Sequence, residues 1–252
     1  MLLRNDLKKL IIPFKGSNSL ETNYSEVFQD IFVLQCLNGK KGGTYLEIGA
    51  GDPINGSNTY LLEKELEWTG LSIDYGWDDW NDDTIIKIHC DNLVFTKDEF
   101  RKYWMGQWNK FRDQPLLLTN ATTCNWTNVI NNNANLKHKV IDYLQVDIDP
   151  SENTYKCLER LPFDTVDFKV ITYEHDAYDV EENGEKWRIK SRKLLESKGY
   201  ILIAGNISKE CCSPFEDWWV NLKYINEINP LIIKHRKTFE ESLPVMEYLF
   251  NK

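Results

Sequence analysis

The sequence lacks both the long apolar runs of a membrane protein and the basic stretches of a nucleic-acid binder. No run approaches the ~18–20 apolar residues that a membrane-spanning helix needs, so no membrane span is predicted. The formal net charge is −9, and no dense Lys/Arg stripe interrupts it. Because such a chain repels phosphate backbones, we expect neither a membrane nor a nucleic acid as a partner.

Signals for secretion and for cysteine-based metal sites are missing as well. Asp6, Lys8 and Lys9 interrupt the apolar residues of the N-terminal segment, so no signal peptide is predicted. The six cysteines show no CxxC spacing, and Cys211 is adjacent to Cys212, which suits neither a zinc site nor a ladder of disulfides. We therefore expect reduced thiols and a cytoplasmic location.

Apolar and aromatic residues, in contrast, are abundant enough to build a large core. Hydrophobic residues make up 42% of the 252 positions and aromatic residues 13%, far more than a disordered chain carries. There is no internal repeat and no low-complexity linker. We predict a single domain over residues 1–252, with 1–23 as an N-terminal extension and 206–252 as a segment that completes the sheet.

Short β-type runs alternate with amphipathic helical segments along most of the chain. This alternation predicts an α/β fold with a doubly wound, mostly parallel sheet that helices cover on both faces. The predicted helices lie near residues 24–37, 57–68, 97–113, 127–139, 151–161 and 185–199, and the predicted strands near 44–48, 69–75, 84–92, 140–149, 166–175 and 200–205.

Acidic side chains follow the predicted strands at their carboxyl ends. In a parallel sheet these ends share one edge, and ligands bind there. The candidate residues are Glu47 to Asp52 after the first strand, Asp74 after the second, Asp91 after the third, Asp147 and Asp149 after the fourth, and Glu174, His175 and Asp176 after the fifth.

The turn after the first strand has two glycines rather than the three of a dinucleotide fingerprint. Ile54 stands where the third glycine would be, which disfavours a pyrophosphate. Glu47 offers a negative partner to a cationic group, and Asp74 can accept hydrogen bonds from ribose hydroxyls. These features fit S-adenosylmethionine. An NAD-dependent oxidoreductase or epimerase stays an alternative, although no Tyr-x-x-x-Lys pair follows the fourth strand.

Three blocks of the sequence resemble the FkbM-like family of S-adenosylmethionine-dependent methyltransferases. They are "LEIGAGDPINGSNTYLLEKELEWTGLSIDY", "IDYLQVDIDPSE" and "DFKVITYEHDAY", spaced as in that family between about residues 28 and 205. The resemblance implies a Rossmann-like fold of the class I methyltransferase type and methyl transfer to a hydroxyl, often on a sugar. Departures are Pro53, where many methyltransferases have a glycine, and "VDIDPSE" in place of "DxEGxE". The cofactor site implied by the resemblance and by the turn comprises Glu47, Gly49, Ala50, Gly51, Asp52, Ser57, Asn58, Thr59, Asp74, Tyr75 and Asp91.

Methyl transfer to a hydroxyl needs a general base, and His175 is the first candidate because an imidazole titrates near neutrality. Asp147 and Asp149 are the other candidate catalytic residues. A Mg²⁺ ion held by Asp147 and Glu174 is a further hypothesis, since oxygen ligands suit that ion and it would lower the pKa of the acceptor hydroxyl.

The acceptor is expected to be a small molecule or a glycan. Trp218 could offer a sugar ring an apolar platform, or could pack in the core, and Glu174 and Asp176 are candidate partners for sugar hydroxyls. Segment 206–252 is expected to complete the acceptor cleft, and a homo-oligomer is allowed. A non-catalytic nucleotide- or sugar-binding module with the same fold remains the alternative from another functional class.

Overall fold

An eight-stranded sheet runs through the chain, and a separate antiparallel pair of strands stands beside it. The computed structural model describes residues 7–74, 86–88, 93–95, 97–209, 212–238 and 240–250. The strands of the large sheet are β1 (Thr44–Ile48), β2 (Thr69–Asp74), β5 (Leu116–Leu118), β6 (Val140–Val146), β7 (Asp167–Glu174), β8 (Tyr200–Ser208), β9 (Glu216–Asn221) and β10 (Leu243–Pro244), and the separate pair is β3 (Ile86–Ile88) with β4 (Leu93–Phe95).

The strand order across the large sheet is β5-β2-β1-β6-β7-β9-β8-β10. Strand β9 pairs antiparallel with β7 and β8, and all other pairings in this sheet are parallel. The central strands β6 and β7 are buried along most of their length, as expected for strands covered on both faces. The prediction of an α/β fold with a Rossmann-like, doubly wound, mostly parallel sheet is confirmed.

Helices follow most of the parallel strands, as the sequence predicted. Among the residues that the structure describes, no helix is both long enough and apolar enough to cross a bilayer. The helices are α1 (Gln29–Cys36), α2 (Tyr60–Leu66), α3 (Lys97–Phe111), α4 (Trp126–Asn132), α5 (Ser151–Arg160), α6 (Gly184–Ser197), α7 (Pro230–Lys234) and α8 (Val245–Phe250), with 3₁₀ turns at Ser17–Ser19 and Leu222–Glu227.

Helix α1 begins five residues later than the apolar spacing predicts, because a buried side chain pins the residues before it. The carboxylate of Asp30 accepts hydrogen bonds from the amide of Tyr24 at 2.8 Å and from the hydroxyl of Ser25 at 2.6 Å. Phe28, just before the helix, has a φ of 66° in the left-handed region. The turn competes with the helix for these backbone groups.

The run predicted as the third strand does not join the large sheet. Its residues Ile86–Ile88 pair antiparallel with Leu93–Phe95 instead. On the side away from β1, strand β2 pairs with the three-residue strand Leu116–Leu118, which no sequence pattern had indicated. The third predicted strand was therefore expected in the wrong sheet. Asp91, which was expected at its carboxyl end, lies outside the described residues.

Strand β9 brings the C-terminal part of the chain into the middle of the sheet. Its two tryptophans point to opposite faces, and both are fully buried. Trp218 stacks on Phe32 at 4.4 Å between ring centroids and meets Tyr248 edge-on at 5.6 Å. Trp219 lies in the core on the other face. This corrects the prediction of a sugar platform at Trp218, because packed neighbours already cover its ring.

Candidate active site

The turn after β1 is fastened to both neighbouring strands. The amides of Gly49 and Ala50 both donate to the carbonyl oxygen of Ile73 in β2, at 2.9 and 3.1 Å. On the other side, the amide of Asp147 donates to the carbonyl oxygen of Ile48 at 3.0 Å. Gly49 has a φ of 82°, a conformation that favours glycine. The ends of β1, β2 and β6 thus form one rigid edge.

Gly51 and Asp74 meet across the first gap of this edge. The amide of Gly51 donates to Oδ2 of Asp74 at 3.2 Å, which joins the glycine turn to the end of β2. A Cβ atom on Gly51 would meet none of the described residues within 4 Å. Asp52 folds the turn itself, since its Oδ1 accepts from the amides of Ile54 and Asn55 at 2.9 and 2.7 Å.

Two further residues of the expected cofactor site cannot be placed. Tyr75 and Asp91 lie outside the described residues.

The Ser57-Asn58-Thr59 segment leads from the turn into α2. The hydroxyl of Ser57 accepts from the amide of Tyr60 at 3.2 Å, and the hydroxyl of Thr59 donates to Oε2 of Glu47 at 2.8 Å. The side-chain oxygen of Asn58 is buried and has no hydrogen-bond partner among the described residues. A buried oxygen of this kind is an acceptor that a bound donor could satisfy.

Glu47 lies within the protein, 1% exposed, and its charged partner is an arginine. Its Oε2 accepts from the hydroxyls of Thr59 and Ser72, the latter at 2.6 Å, and lies 4.0 Å from the guanidinium of Arg112. Burial raises the pKa of Glu47, and the positive charge of Arg112 opposes that rise. In this structure Glu47 therefore faces Arg112 where the sequence analysis expected it to face a ligand.

Carboxyl groups from β6 and β7 form a coupled cluster at the same edge. Burial raises the pKa of Asp147 to about 7, and a hydrogen bond from Glu174 limits the rise. The pKa of Glu174 lies well above its usual range, because burial and the charge of Asp147 both disfavour its ionised form. Burial also raises the pKa of Asp149 and of Asp176. The raised pKa of Glu174 favours its protonated form, which can donate a hydrogen bond to Asp147, whose pKa is about 7.

The antiparallel strand β9 contributes one more carboxyl group to this edge. Glu216 pairs in register with Glu174, and it accepts from the side chains of Gln29 and Trp218, both at 2.7 Å. Burial raises the pKa of Glu216 to about 8, and the charge of Asp147 adds to the rise. The sequence predicted that segment 206–252 completes the sheet, but it gave no strand bounds there that would bring Glu216 next to Glu174.

His175 follows Glu174 but turns toward the interior. Its Nδ1 accepts from the amide of Ala177 at 3.1 Å, and its Nε2 lies 3.4 Å from Oδ1 of Asp217. The imidazole is 0% exposed. Arg192 donates two hydrogen bonds to the same carboxylate, at 2.7 and 2.8 Å. Burial alone would raise the pKa of Asp217, but the neighbouring His175 and Arg192 outweigh it, and the pKa is lowered. Both nitrogens of His175 thus face protein atoms.

The expected metal ligands form a hydrogen-bonded pair. No group of three or more His, Cys, Asp or Glu side chains with the geometry of a metal site occurs among the described residues. The Mg²⁺ hypothesis for Asp147 and Glu174 therefore lacks the ligand set that it required.

A shallow depression of about 390 Å³ lies beside the segment that follows Asp176. Val180 is 87% exposed there and Ile189 45%, so its floor is partly apolar. Polar side chains stand at its margin. The lining residues are Ala177, Asp179, Val180, Asn183, Glu185, Lys186 and Ile189.

Comparisons with known proteins give a fold likeness and no family. No protein-family model matches the chain, and no curated protein sequence matches it. Among solved structures, a protein described as an rRNA-methylase from Clostridium thermocellum is 13% identical, with 81% of this chain and 100% of that chain covered and a TM-score of 0.48. The O-methyltransferase NovP is 13% identical over 77% of this chain and 79% of its own, with a TM-score of 0.42. At these identities and TM-scores, no activity is transferred from those proteins to this chain.

Proposed function

We propose that the chain is an S-adenosylmethionine-dependent O-methyltransferase whose acceptor is a hydroxyl of a sugar or a glycosylated small molecule. One observation carries the proposal: a glycine turn, the carboxylate of Asp74 and the titrating pair Asp147 and Glu174 lie on successive strand ends of one sheet edge. The resemblance of three sequence blocks to the FkbM-like family supports the same assignment.

The cofactor would lie over the glycine turn. Asp74, oriented by the amide of Gly51, can accept from the two ribose hydroxyls, and none of the described residues fills the space beside Gly51. The oxygen of Asn58, which has no partner within the part of the chain that the structure describes, can accept from the ammonium group of the methionine moiety. Glu47 would contribute indirectly, by accepting the hydrogen bond that holds the hydroxyl of Thr59 in place.

The bound cofactor supplies an electrophilic methyl group on a sulfonium. Asp147 would act as the general base, since a carboxylate with a pKa of about 7 is both partly ionised and a usable proton acceptor at neutral pH. It would take the proton of the acceptor hydroxyl as the methyl group passes from sulfur to that oxygen, so that the methyl–sulfur bond breaks and S-adenosylhomocysteine is left. Glu174 would keep Asp147 oriented through their shared hydrogen bond.

The acceptor would reach the cluster from the side of the depression. Asp176 and Asp179 offer oxygen acceptors to sugar hydroxyls, and Val180 and Ile189 offer an apolar surface to a ring face or an aglycone.

Calorimetric titration with S-adenosylmethionine, followed by an acceptor screen read as S-adenosylhomocysteine release, tests the proposal. The wild type should bind the cofactor, and Asp74→Ala should weaken binding by about 10-fold or more, because it removes a charge-assisted acceptor. Asp164→Ala is the control, since Asp164 is 86% exposed and contacts only Lys198 among the ion pairs described.

Three outcomes separate the alternatives. No cofactor binding by the wild type at millimolar concentration would refute the proposal. Cofactor binding without turnover on any sugar or glycoside would favour the non-catalytic binding module. Quenching of reduced-nicotinamide fluorescence on mixing would favour the oxidoreductase.

A further inference from the structure

The geometry points to Arg112 as the positioning residue of segment 53–59, which leads from the glycine turn into α2 at the proposed cofactor site. This inference rests on the proposed function, and it concerns a residue that follows α3 and lies far along the chain from the turn. Arg112 does not face the expected ligand. It would act through segment 53–59, whose conformation it fixes.

The guanidinium joins three parts of that segment to the strand beneath it. Its Nη1 donates to the carbonyl oxygen of Pro53 at 3.3 Å and to the hydroxyl of Ser57 at 3.1 Å. Its Nη2 donates to the hydroxyl of Thr59 at 2.7 Å and to the hydroxyl of Tyr45 in β1 at 3.0 Å. A single side chain therefore fixes the beginning, middle and end of the segment relative to β1.

The charge of Arg112 is fully buried and is compensated within the protein. Its side chain is 0% exposed, its Nε donates to Glu63 at 2.7 Å, and Glu47 lies 4.0 Å away. The guanidinium also lies over the ring of Trp108 at 4.5 Å. Such a site needs a planar group with donors in several directions, which lysine cannot supply.

Among the described residues, the other hydrogen bonds of the amides in this segment are mostly local, since those of Ile54 and Asn55 both donate to Asp52 within the turn. The amide of Gly56 donates to the carbonyl oxygen of Tyr24 at 3.0 Å, and the amide of Ser57 reaches Ile54 only at 3.4 Å. Without Arg112 the segment would pay the entropy of ordering when the cofactor binds, so the loss should appear in cofactor affinity.

Arg112→Lys separates the positioning of segment 53–59 from the effect of the charge. Lysine keeps the positive charge but lacks the planar guanidinium that donates in several directions. We expect cofactor affinity to fall at least 10-fold while the KM of the acceptor changes less than twofold. Hydrogen exchange of the backbone amides in residues 53–59, of which Pro53 has none, should accelerate at least 10-fold in the cofactor-free protein. Lys169→Met is the control, since Lys169 is largely buried and makes ion pairs with Asp142 and Glu227, at 2.9 and 2.7 Å, rather than with the turn. It should lower stability and leave both readouts unchanged.

Thr59→Val serves as the second variant should Arg112→Lys fail to fold, since it removes one acceptor of Arg112. Its cofactor affinity should fall about 2- to 5-fold, and exchange in residues 53–59 should rise. A folded Arg112→Lys or Thr59→Val protein with wild-type affinity and exchange would overturn the inference. Should the wild type bind no cofactor, the proposed function fails, whereas the exchange measurement still decides whether Arg112 orders the turn.

Discussion

The backbone of Gly49 passes so close to Asp147 that a Cβ atom at Gly49 would lie 1.5 Å from the carbonyl oxygen of Asp147. Only a residue without a side chain fits between β1 and β6 at this point. The contact fixes the distance between the glycine turn and the carboxyl pair of Asp147 and Glu174, which are the two halves of the proposed site.

Gly49→Ala should therefore be strongly destabilising. Gly51→Ala is the matched control, because Gly51 also has a positive φ, of 56°, but a Cβ atom there would meet none of the residues that the structure describes. We expect Gly51→Ala to cost about 1–2 kcal/mol in the free energy of unfolding, from backbone conformation alone, and Gly49→Ala to cost at least about 2 kcal/mol more. Urea denaturation of both variants checks this, and equal losses would show that the close approach is not rigid.

Asp147→Asn should abolish the titration of activity near neutrality. A protonated Asp147 cannot accept the hydroxyl proton, so the kcat/KM of the wild type should rise with pH through about 7 and level off above it. Asp147→Asn should lower kcat by at least about 100-fold. Asp164→Asn, which changes an exposed carboxylate paired with Lys198 outside this cluster, should keep the wild-type profile. A profile that is unchanged in Asp147→Asn would remove Asp147 from the role of base.

His175→Ala should damage stability more than chemistry. The imidazole fills buried space and lies beside the buried carboxylate of Asp217, so its removal should cost about 2–4 kcal/mol in the free energy of unfolding. The midpoint of the pH–rate profile should stay near 7 in protein that remains folded. A folded variant without turnover, at a temperature well below its Tm, would restore His175 as the base.

Glu216→Gln should flatten the dependence of stability on pH. The folded-state pKa of Glu216, about 8, lies above its ordinary value of 4.5, so the folded protein binds this proton more tightly than the unfolded chain. That contribution is fully present below pH 4.5 and is lost as pH rises through 8, at about 1.4 kcal/mol for each pKa unit. Urea denaturation between pH 5 and 8.5 should show a shallower decline for Glu216→Gln than for the wild type. The exposed Glu159→Gln should match the wild type.

Trp218→Phe and Trp218→Ala test the assignment of this residue to the core. Trp218→Ala should cost about 3–5 kcal/mol in the free energy of unfolding, because it empties a fully buried site against Phe32 and Tyr248. Trp218→Phe should cost less and leave the acceptor KM within twofold of the wild type. A large rise in KM with little loss of stability would point back to a role in acceptor binding.

The parts of the fold that depend on local periodicity could be predicted from the sequence. Strands β1, β2, β6, β7 and β8 are apolar runs of at least five residues, and turn residues or helical patterns bound them. The glycine turn and the acids at the strand ends were predictable for the same reason, since the edge of a parallel sheet follows from strand direction.

Features that depend on distant pairing could not be predicted. Strand β5 has only three residues, and it becomes a strand only because β2 offers an edge. Arg112 and Thr59 are 53 positions apart, and nothing in either neighbourhood indicates their contact. His175 lies at the strand end that the sequence predicted, but its side chain points into the interior and not toward Asp147. Neighbouring residues of a strand point to opposite faces, and here it is Glu174 that points toward Asp147.

The insertion of β9 between β7 and β8 also sets the order in which this protein can assemble. Residues 167–174 and 200–208 cannot pair with each other, so both remain unpaired edges until residues 216–221 arrive between them. A nascent chain that has emerged only to residue 215 would hold the glycine turn and Asp147 but not Glu216. Pairing between residues far apart in the sequence is slow, so the β7–β9 pairing beside Glu174 should be among the last to form. The protein should be most prone to aggregation before this pairing is complete.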